Sequence, residues 1–303
     1  MTPREPRDLV ASVHSRLRQR FLRAGGDYGN LLLEYAAERF LYRLSQSRYA
    51  SQFVLKGAML FVAWEDDPHR HTRDIDFLSL ANETAEDLAQ LFRGICCAHV
   101  PPDGLEFLAD SVAVSPIRSA FDFACLRALI HARLGKTRLL LQIDVGFGDS
   151  VVPEAVTLPY PTLLEFPAPV IRTYRRETVV AEKAQAMVQH GHLNSRMKDL
   201  YDVRALAQRF ALDGETLVNA LAATFEARGA SVPLELPAAL DTEFAGDPTK
   251  LTQWGAFVRK SRVEPVELGE VVAALRRFLA EPYLATARDR PYARHWPAGG
   301  PWG

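Results

Sequence analysis

Two carboxylates lie two residues apart, Asp74 and Asp76, in the run Thr72-Arg73-Asp74-Ile75-Asp76-Phe77. If residues 74–77 are extended, both side chains leave one face with α-carbons about 7 Å apart, and their carboxyl groups can converge on one hard cation or a pair. A second strand-like run, Leu139-Leu140-Leu141-Gln142-Ile143-Asp144-Val145, adds Asp144 in apolar company. Three acids at strand level are costly unless a positive charge neutralises them, which favours Mg²⁺ carrying a nucleotide over a structural salt bridge. An isolated Asp-x-Asp is also common in loops, where it caps helices or faces water. The upstream context bears on the choice. Lys56-Gly57-Ala58 follows the apolar Phe53-Val54-Leu55 and precedes a helical run to Trp64. Glycine at a strand-to-helix turn leaves backbone N–H groups to meet phosphate; the plainer alternative is a tight turn that needs no side chain.

These residues need a scaffold, and the pattern supplies one. Helix is expected over most of residues 6–46, broken at Gly25-Gly26-Asp27, then a strand at 53–56, a helix at 57–64 and a polar loop before the acidic strand. Residues 84–97 carry Leu88, Leu91, Phe92 and Ile95 as a helical stripe. Residues 123–133 and 137–147 read as a strand pair joined through Gly135-Lys136, the second member carrying Asp144. The expected class is α/β (α+β), a mixed sheet with helices packed on it. Pro159, Pro161, Pro167 and Pro169 mark a boundary, giving domains 1–170 and 171–303. The second is expected to be chiefly helical, with segments at 178–189, 195–210 and 268–279, a looser insertion around Pro233, Pro237 and Pro248, and a disordered end at 297–303.

Composition narrows the class further. With 303 residues and 48% hydrophobic content, the chain can bury a substantial core. No apolar run approaches the roughly eighteen residues of a membrane span, and the first residues lack the apolar centre of a secretory signal. Cys96 and Cys97 are adjacent and Cys125 stands apart. That is neither a disulfide framework nor a zinc spacing, so a reducing cytoplasm is the expectation. A net charge of -1 argues against nonspecific wrapping of duplex DNA. Local clusters survive within that average, Arg16, Arg18, Arg20 and Arg23 foremost. They suit a triphosphate or an RNA end, and they suit a solvated helix face equally well.

In the helical part, Glu182 and Lys183 precede the interruption His190-Gly191-His192, and Arg196, Lys198, Asp199 and Asp202 follow it. Helix-surface pairs, Arg196 with Asp199 and Lys198 with Asp202, account for that pattern as readily as a site does.

Three blocks together resemble the AbiEii/AbiGii-type nucleotidyltransferases, toxin components of bacterial abortive-infection and toxin–antitoxin systems. The first runs from Tyr35-Ala36-Ala37-Glu38-Arg39-Phe40 through Phe53-Val54-Leu55-Lys56-Gly57-Ala58 to Thr72-Arg73-Asp74-Ile75-Asp76. The second is Leu141-Gln142-Ile143-Asp144-Val145-Gly146-Phe147-Gly148-Asp149. The third is Glu182-Lys183-Ala184-Gln185-Ala186-Met187, continuing to Arg196-Met197-Lys198-Asp199-Leu200-Tyr201-Asp202. The resemblance implies a DNA polymerase β-like nucleotidyltransferase core followed by a helical domain. It implies metal-binding acids at Asp74 and Asp76, with Asp144 as the third carboxylate by analogy of fold. Lys183, Asp199 and Asp202 join Asp74 and Asp76 as catalytic residues, and Lys56, Gly57, Ala58, Arg73 and Arg196 fall to the nucleotide. The family often has Gly-Gly or Gly-Ser where this chain has Gly57-Ala58, which removes one hydroxyl contact and keeps the backbone donors. The implied cofactor is Mg²⁺, with Mn²⁺ as its substitute. The implied substrates are an NTP and an RNA acceptor, the tRNA 3′ end, and the implied partner is a separately encoded antitoxin. Protein nucleotidylation and a noncatalytic guanine-nucleotide-binding module are the alternatives.

Overall fold

The computed structural model describes residues 6–65, 72, 74–117 and 125–303. Within them the chain forms two units. One holds the residues up to Gly148 together with Val156–Thr173; the other holds Asp149–Ala155 and Tyr174–Gly303.

In the first unit, period-two alternation of apolar and polar residues builds a mixed sheet, and helices with apolar stripes cover it. The elements are α1 (Pro6–Ala24), α2 (Tyr28–Ser45), β1 (Phe53–Lys56), α3 (Met59–Trp64), β2 (Asp74–Ser79), α4 (Ala85–Cys96), β3 (Leu105–Phe107), β4 (Ala113–Pro116), β5 (Cys125–Leu134), β6 (Thr137–Phe147), β7 (Val156–Pro159) and β8 (Val170–Thr173). The strand order is β3-β5-β6-β2-β1-β8-β7, with β4 also on β5. β2 runs parallel to β6 and β1 parallel to β8; the other pairs are antiparallel. Ile75, Phe77, Ile143 and Val145 are buried on one face. Phe53 stacks between Phe77 and Phe92 of α4, and Phe92 meets Phe40 of α2, so α2 and α4 cover that face. Local signals set the helix starts. Asp27 accepts from the Asn30 N–H at the head of α2, and Thr84 forms a capping box with Asp87 at α4.

The charges buried in α2 are matched. Asp103 accepts from Arg39 Nε at 3.1 Å and from Arg43 at 2.6 and 3.1 Å. Glu38 accepts from the Leu163 N–H at 2.6 Å. These bonds tie two irregular segments to the helix that backs the sheet.

The second unit is helical, as expected: α5 (Arg176–His190), α6 (Met197–Arg209), α7 (Gly214–Ala227), α8 (Thr242–Gly246), α9 (Pro248–Ser261) and α10 (Leu268–Ala287), with a small pair of β9 (Leu212–Asp213) and β10 (His295–Trp296). Three expectations change here. Pro248 does not sit in a loose insertion but opens α9 at its first turn, where Asp247 accepts from the Thr249 and Lys250 N–H groups; proline needs no donor there. The last helix does not stop at 279 but runs through Pro282 to Ala287. Proline at 282 has no N–H for the Phe278 carbonyl, four residues back. The Trp302 indole N–H takes its place at 2.8 Å. That bond also overturns the expected disorder of residues 297–303. Trp302 stacks on Phe278 with rings 5.8 Å apart, and Gly303 exchanges both backbone hydrogen bonds with His295. Among the described residues no helix is long and apolar enough to cross a membrane.

Candidate active site

The first unit gathers its candidate residues through strand register. β1 and β2 pair Lys56 with Asp76, β2 and β6 pair Asp76 with Asp144, and β5 and β6 pair Asp144 with Arg127. Directly opposed residues share a face. Lys56, Asp76, Asp144 and Arg127 therefore form one row across four strands, on the face opposite Ile75 and Phe77. Asp74 lies one step along β2, opposite Gln142. All are half-buried. Arg73 falls outside the described residues.

Gly57 closes this row at one end. Its φ is +72°, in the left-handed region, and a Cβ built there would stand 2.1 Å from Asp76 Oδ2 and 2.7 Å from Asp76 Cγ. Both backbone strain and space demand glycine. Ala58 follows as the N-cap of α3 without a side-chain cap bond.

Arg127 closes the other end. Its Nε and one terminal nitrogen each donate to a different Asp144 oxygen, both at 2.8 Å. Hydrogen bonding to Asp144 outweighs the cost of burial and pushes the Arg127 pKa up, with the fields of Asp74 and Asp76 adding to it. Both Asp144 oxygens are thus engaged by a guanidinium. Among the described residues no group of three His, Cys, Asp or Glu side chains is arranged to hold a metal ion. Mg²⁺ does not need one. It is commonly bound by one or two carboxylates and completed by substrate phosphate oxygens and water. Asp74 and Asp76, alternate residues on one strand face, fit that donor set. Asp144 joins it only by exchanging Arg127 for the metal.

The second unit holds a separate polar cluster. Lys183 on α5 reaches Asp199 Oδ1 at 2.6 Å and Asp202 Oδ2 at 2.9 Å, both on α6 and one turn apart. Arg196, at the N-cap of α6, reaches Asp199 Oδ2 at 2.5 Å. The two acids are 1% and 0% exposed and Lys183 is 13% exposed. Burial alone would raise the Asp199 pKa; the charges of Lys183 and then Arg196 outweigh it and hold the carboxyl below its ordinary value. The Arg196–Asp199 surface pair exists, but its acid is buried, and Asp202 finds its partner across the helix pair. Beside this cluster, Arg228 donates to Asp149 and Gln185 and lies 3.8 Å from Glu182, which also accepts from the Tyr174 hydroxyl.

A family model for the nucleotidyl transferase AbiEii toxin of type IV toxin–antitoxin systems matches residues 39–296. The chain belongs to the AbiEii family. It is accordingly a nucleotidyltransferase of a toxin family, with the mixed-sheet core and helical second part that the resemblance implied. The AbiEii match includes every residue of both clusters and leaves α1 outside. A crystal structure from H. pylori, of a protein assigned as a nucleotidyltransferase, superposes with a TM-score of 0.50 at 15% identity, over 86% of this chain and 95% of that one. At that identity it shows the shared fold alone. JHP933 from Helicobacter pylori gives a TM-score of 0.48 at 14% identity, covering 86% and 92%. No curated protein matches the chain.

Arg127 and Arg228 carry contacts in these clusters that motif reading missed. For Arg127 a signal existed. A two-residue turn at Gly135-Lys136 sets Leu134 opposite Thr137, and counting back along both strands sets Arg127 opposite Asp144. Arg228 has no such signal, since its partners lie far back in the chain, at Asp149 and on α5.

Proposed function

We propose that this AbiEii protein transfers a nucleoside monophosphate from an NTP to an RNA acceptor, the 3′ end of tRNA, and so blocks translation. The observation that supports this most is the pair Asp74 and Asp76 on one sheet face, beside a glycine turn that no other residue can replace without striking Asp76. In the reaction the acceptor hydroxyl gives its proton to solvent as its oxygen bonds to the α-phosphorus, the bond from that phosphorus to the bridging oxygen breaks, and pyrophosphate leaves with the electron pair. Asp74 and Asp76 would hold Mg²⁺, or Mn²⁺ in its place, with Asp144 available once Arg127 is displaced. The metal supplies neutralisation of triphosphate charge and a lowered pKa for the attacking hydroxyl. Lys56, Gly57, Ala58, Arg73 and Arg196 are assigned to the nucleotide, Lys183 to phosphate charge, and Asp199 and Asp202 to holding Lys183 in place. The setting is the cytoplasm, and the partner is a separately encoded antitoxin, as a type IV system requires.

The test is a panel of four α-labelled NTPs with Mg²⁺, each against total RNA and total protein. Label should enter RNA of tRNA size. Label confined to protein overturns the acceptor, and no transfer to either fraction overturns the reading as a whole.

Gly57→Ala gives a local check. A Cβ at that position must push Asp76 or the turn aside, and misplacing a catalytic group by about 1 Å can cost roughly 100-fold in rate. The left-handed φ adds about 1–3 kcal/mol of strain. Transfer rate and urea midpoint are measured together, with Gly148→Ala as the control: its φ of +77° carries the same backbone strain, and a Cβ there meets nothing within 4 Å. An unchanged rate in Gly57→Ala would detach the turn from the site.

A further inference from the structure

We infer that α1 and the segment between β7 and β8 form a second, noncatalytic binding groove for the phosphodiester backbone of RNA. The inference rests on the RNA-acceptor reading above. A concavity of about 710 Å³ lies between α1 and residues 162–165. From α1 it is lined by Arg16, Gln19, Arg20 and Arg23, and the single acid in its wall is Glu165. The spacing i, i+4, i+7 sets the three arginines along one side of the helix, rising about 6 Å between the first two and 4–5 Å to the third. That is the scale of successive phosphates on one strand.

The arginines are built in. Val13 and Leu17 are fully buried and anchor the stripe of α1 that adjoins the arginines, and His14 Nε2 hydrogen-bonds the Leu134 carbonyl at 3.2 Å. Arg16 lies 5.3 Å over the Phe166 ring, and Arg20 donates to the Leu163 carbonyl at 3.1 Å. Among the described residues none of Arg16, Arg20 or Arg23 is in an ion pair, and the Arg16 Nε is buried without a hydrogen-bond partner. Three guanidiniums held along a groove without paired carboxylates call for a polyanion, and the planar fork suits phosphate oxygens.

The layers decide which polyanion. Leu163 is bonded to Glu38 of α2, and Phe166 packs on Tyr35 of α2. The groove therefore lies on the helix-covered side of the sheet, and the Asp74, Asp76 and Asp144 row lies on the other. A reacting NTP cannot serve both. An RNA whose 3′ end is at the carboxylates can carry phosphates to a second place, where contacts position without reading sequence. α1 precedes the segment matched to the AbiEii family while residues 162–165 lie within it, so the arginine wall of the groove comes from outside the matched segment.

The experiment measures binding of fluorescently labelled bulk tRNA to the full chain across a NaCl series. Arg20→Ala/Arg23→Ala is compared with wild type and with Arg18→Ala, whose side chain leaves a different side of α1; Arg16 is kept because it packs on Phe166. Each lost phosphate contact should flatten the slope of log affinity against log salt by roughly 0.7–0.9. The double variant should therefore lose roughly 1.4–1.8 of slope, and Arg20→Lys/Arg23→Lys should recover most of it. Arg18→Ala should match wild type. Circular dichroism confirms folding. Wild-type slope in a folded double variant overturns the groove and leaves the RNA-acceptor reading standing. No tRNA binding by wild type overturns both. Pyrophosphate displacing tRNA from wild type but not from the double variant would assign the groove to a small polyphosphate and overturn the backbone site.

Discussion

Asp76→Asn is expected to abolish nucleotidyl transfer while the protein stays folded, and Asp74→Asn to do the same. Asparagine keeps the shape of aspartate and removes its charge, so the strand register that sets Asp76 between Lys56 and Asp144 should persist. The charge is what a hard cation requires at this position. In the row, Asp76 also stands beside one cation and one acid that is already bound to Arg127. With Asp76 neutral, the acid remaining in that row, Asp144, has both oxygens on a guanidinium. Transfer is measured at saturating NTP over an Mg²⁺ series, with urea unfolding as the structural control. Undiminished transfer by either folded variant would remove the carboxylate pair from the mechanism. Metal-free nucleotide binding can survive in both.

Lys183→Ala should lower the transfer rate by roughly two orders of magnitude, the scale on which loss of one preorganised charge contact is felt. It should also cost stability, because Asp199 and Asp202 are left buried, with Arg196 alone on Asp199. Removing one partner from a buried ion pair costs about 3–5 kcal/mol. The pH dependence separates the two effects. In the wild type the depressed Asp199 pKa contributes stability that is present above the unfolded value and is lost as pH falls through the folded value. Without Lys183 the balance tips toward burial, which raises the Asp199 pKa, so ionising the acid then opposes folding. The stability gap between wild type and variant should widen from pH 4.5 to pH 7.5 in urea unfolding, and the rate should be compared at low denaturant where both are folded. A folded variant with near-normal rate would return Lys183 to a purely structural role.

Much of the first cluster was legible because it rests on short-range rules. Alternation puts Asp74 and Asp76 on one strand face, and the strand–glycine–helix sequence around Gly57 marks the turn. What alternation does not contain is the order of strands in the sheet, so the parallel pairing that aligns Asp76 with Asp144 stayed hidden. The second cluster was half legible. Helix periodicity put Asp199 and Asp202 on one side of α6, yet it could not say that Lys183, on another helix, would satisfy both. Composition misled where it stood in for contacts. Residues 297–303 are rich in glycine and proline, and composition does not show that Trp302 donates to the carbonyl that Pro282 leaves open. Pro248 marks a looser insertion by composition, yet after the N-cap Asp247 a proline begins a helix well.

The chain visits the second unit at Asp149–Ala155 and returns to the first for β7 and β8 before leaving it again at Tyr174. Neither unit is therefore one stretch of gene. A fragment cut after Gly148 would lack β8, and β1, the strand that delivers Lys56 and Gly57, would become the open edge of the sheet. A fragment begun at Tyr174 would lack Asp149, the acid that Arg228 binds. During synthesis the same order means that β1, with the Gly57 turn at its end, gains its second neighbour only after Thr173 has emerged, so the carboxylate sheet is completed after its first acids have long been made.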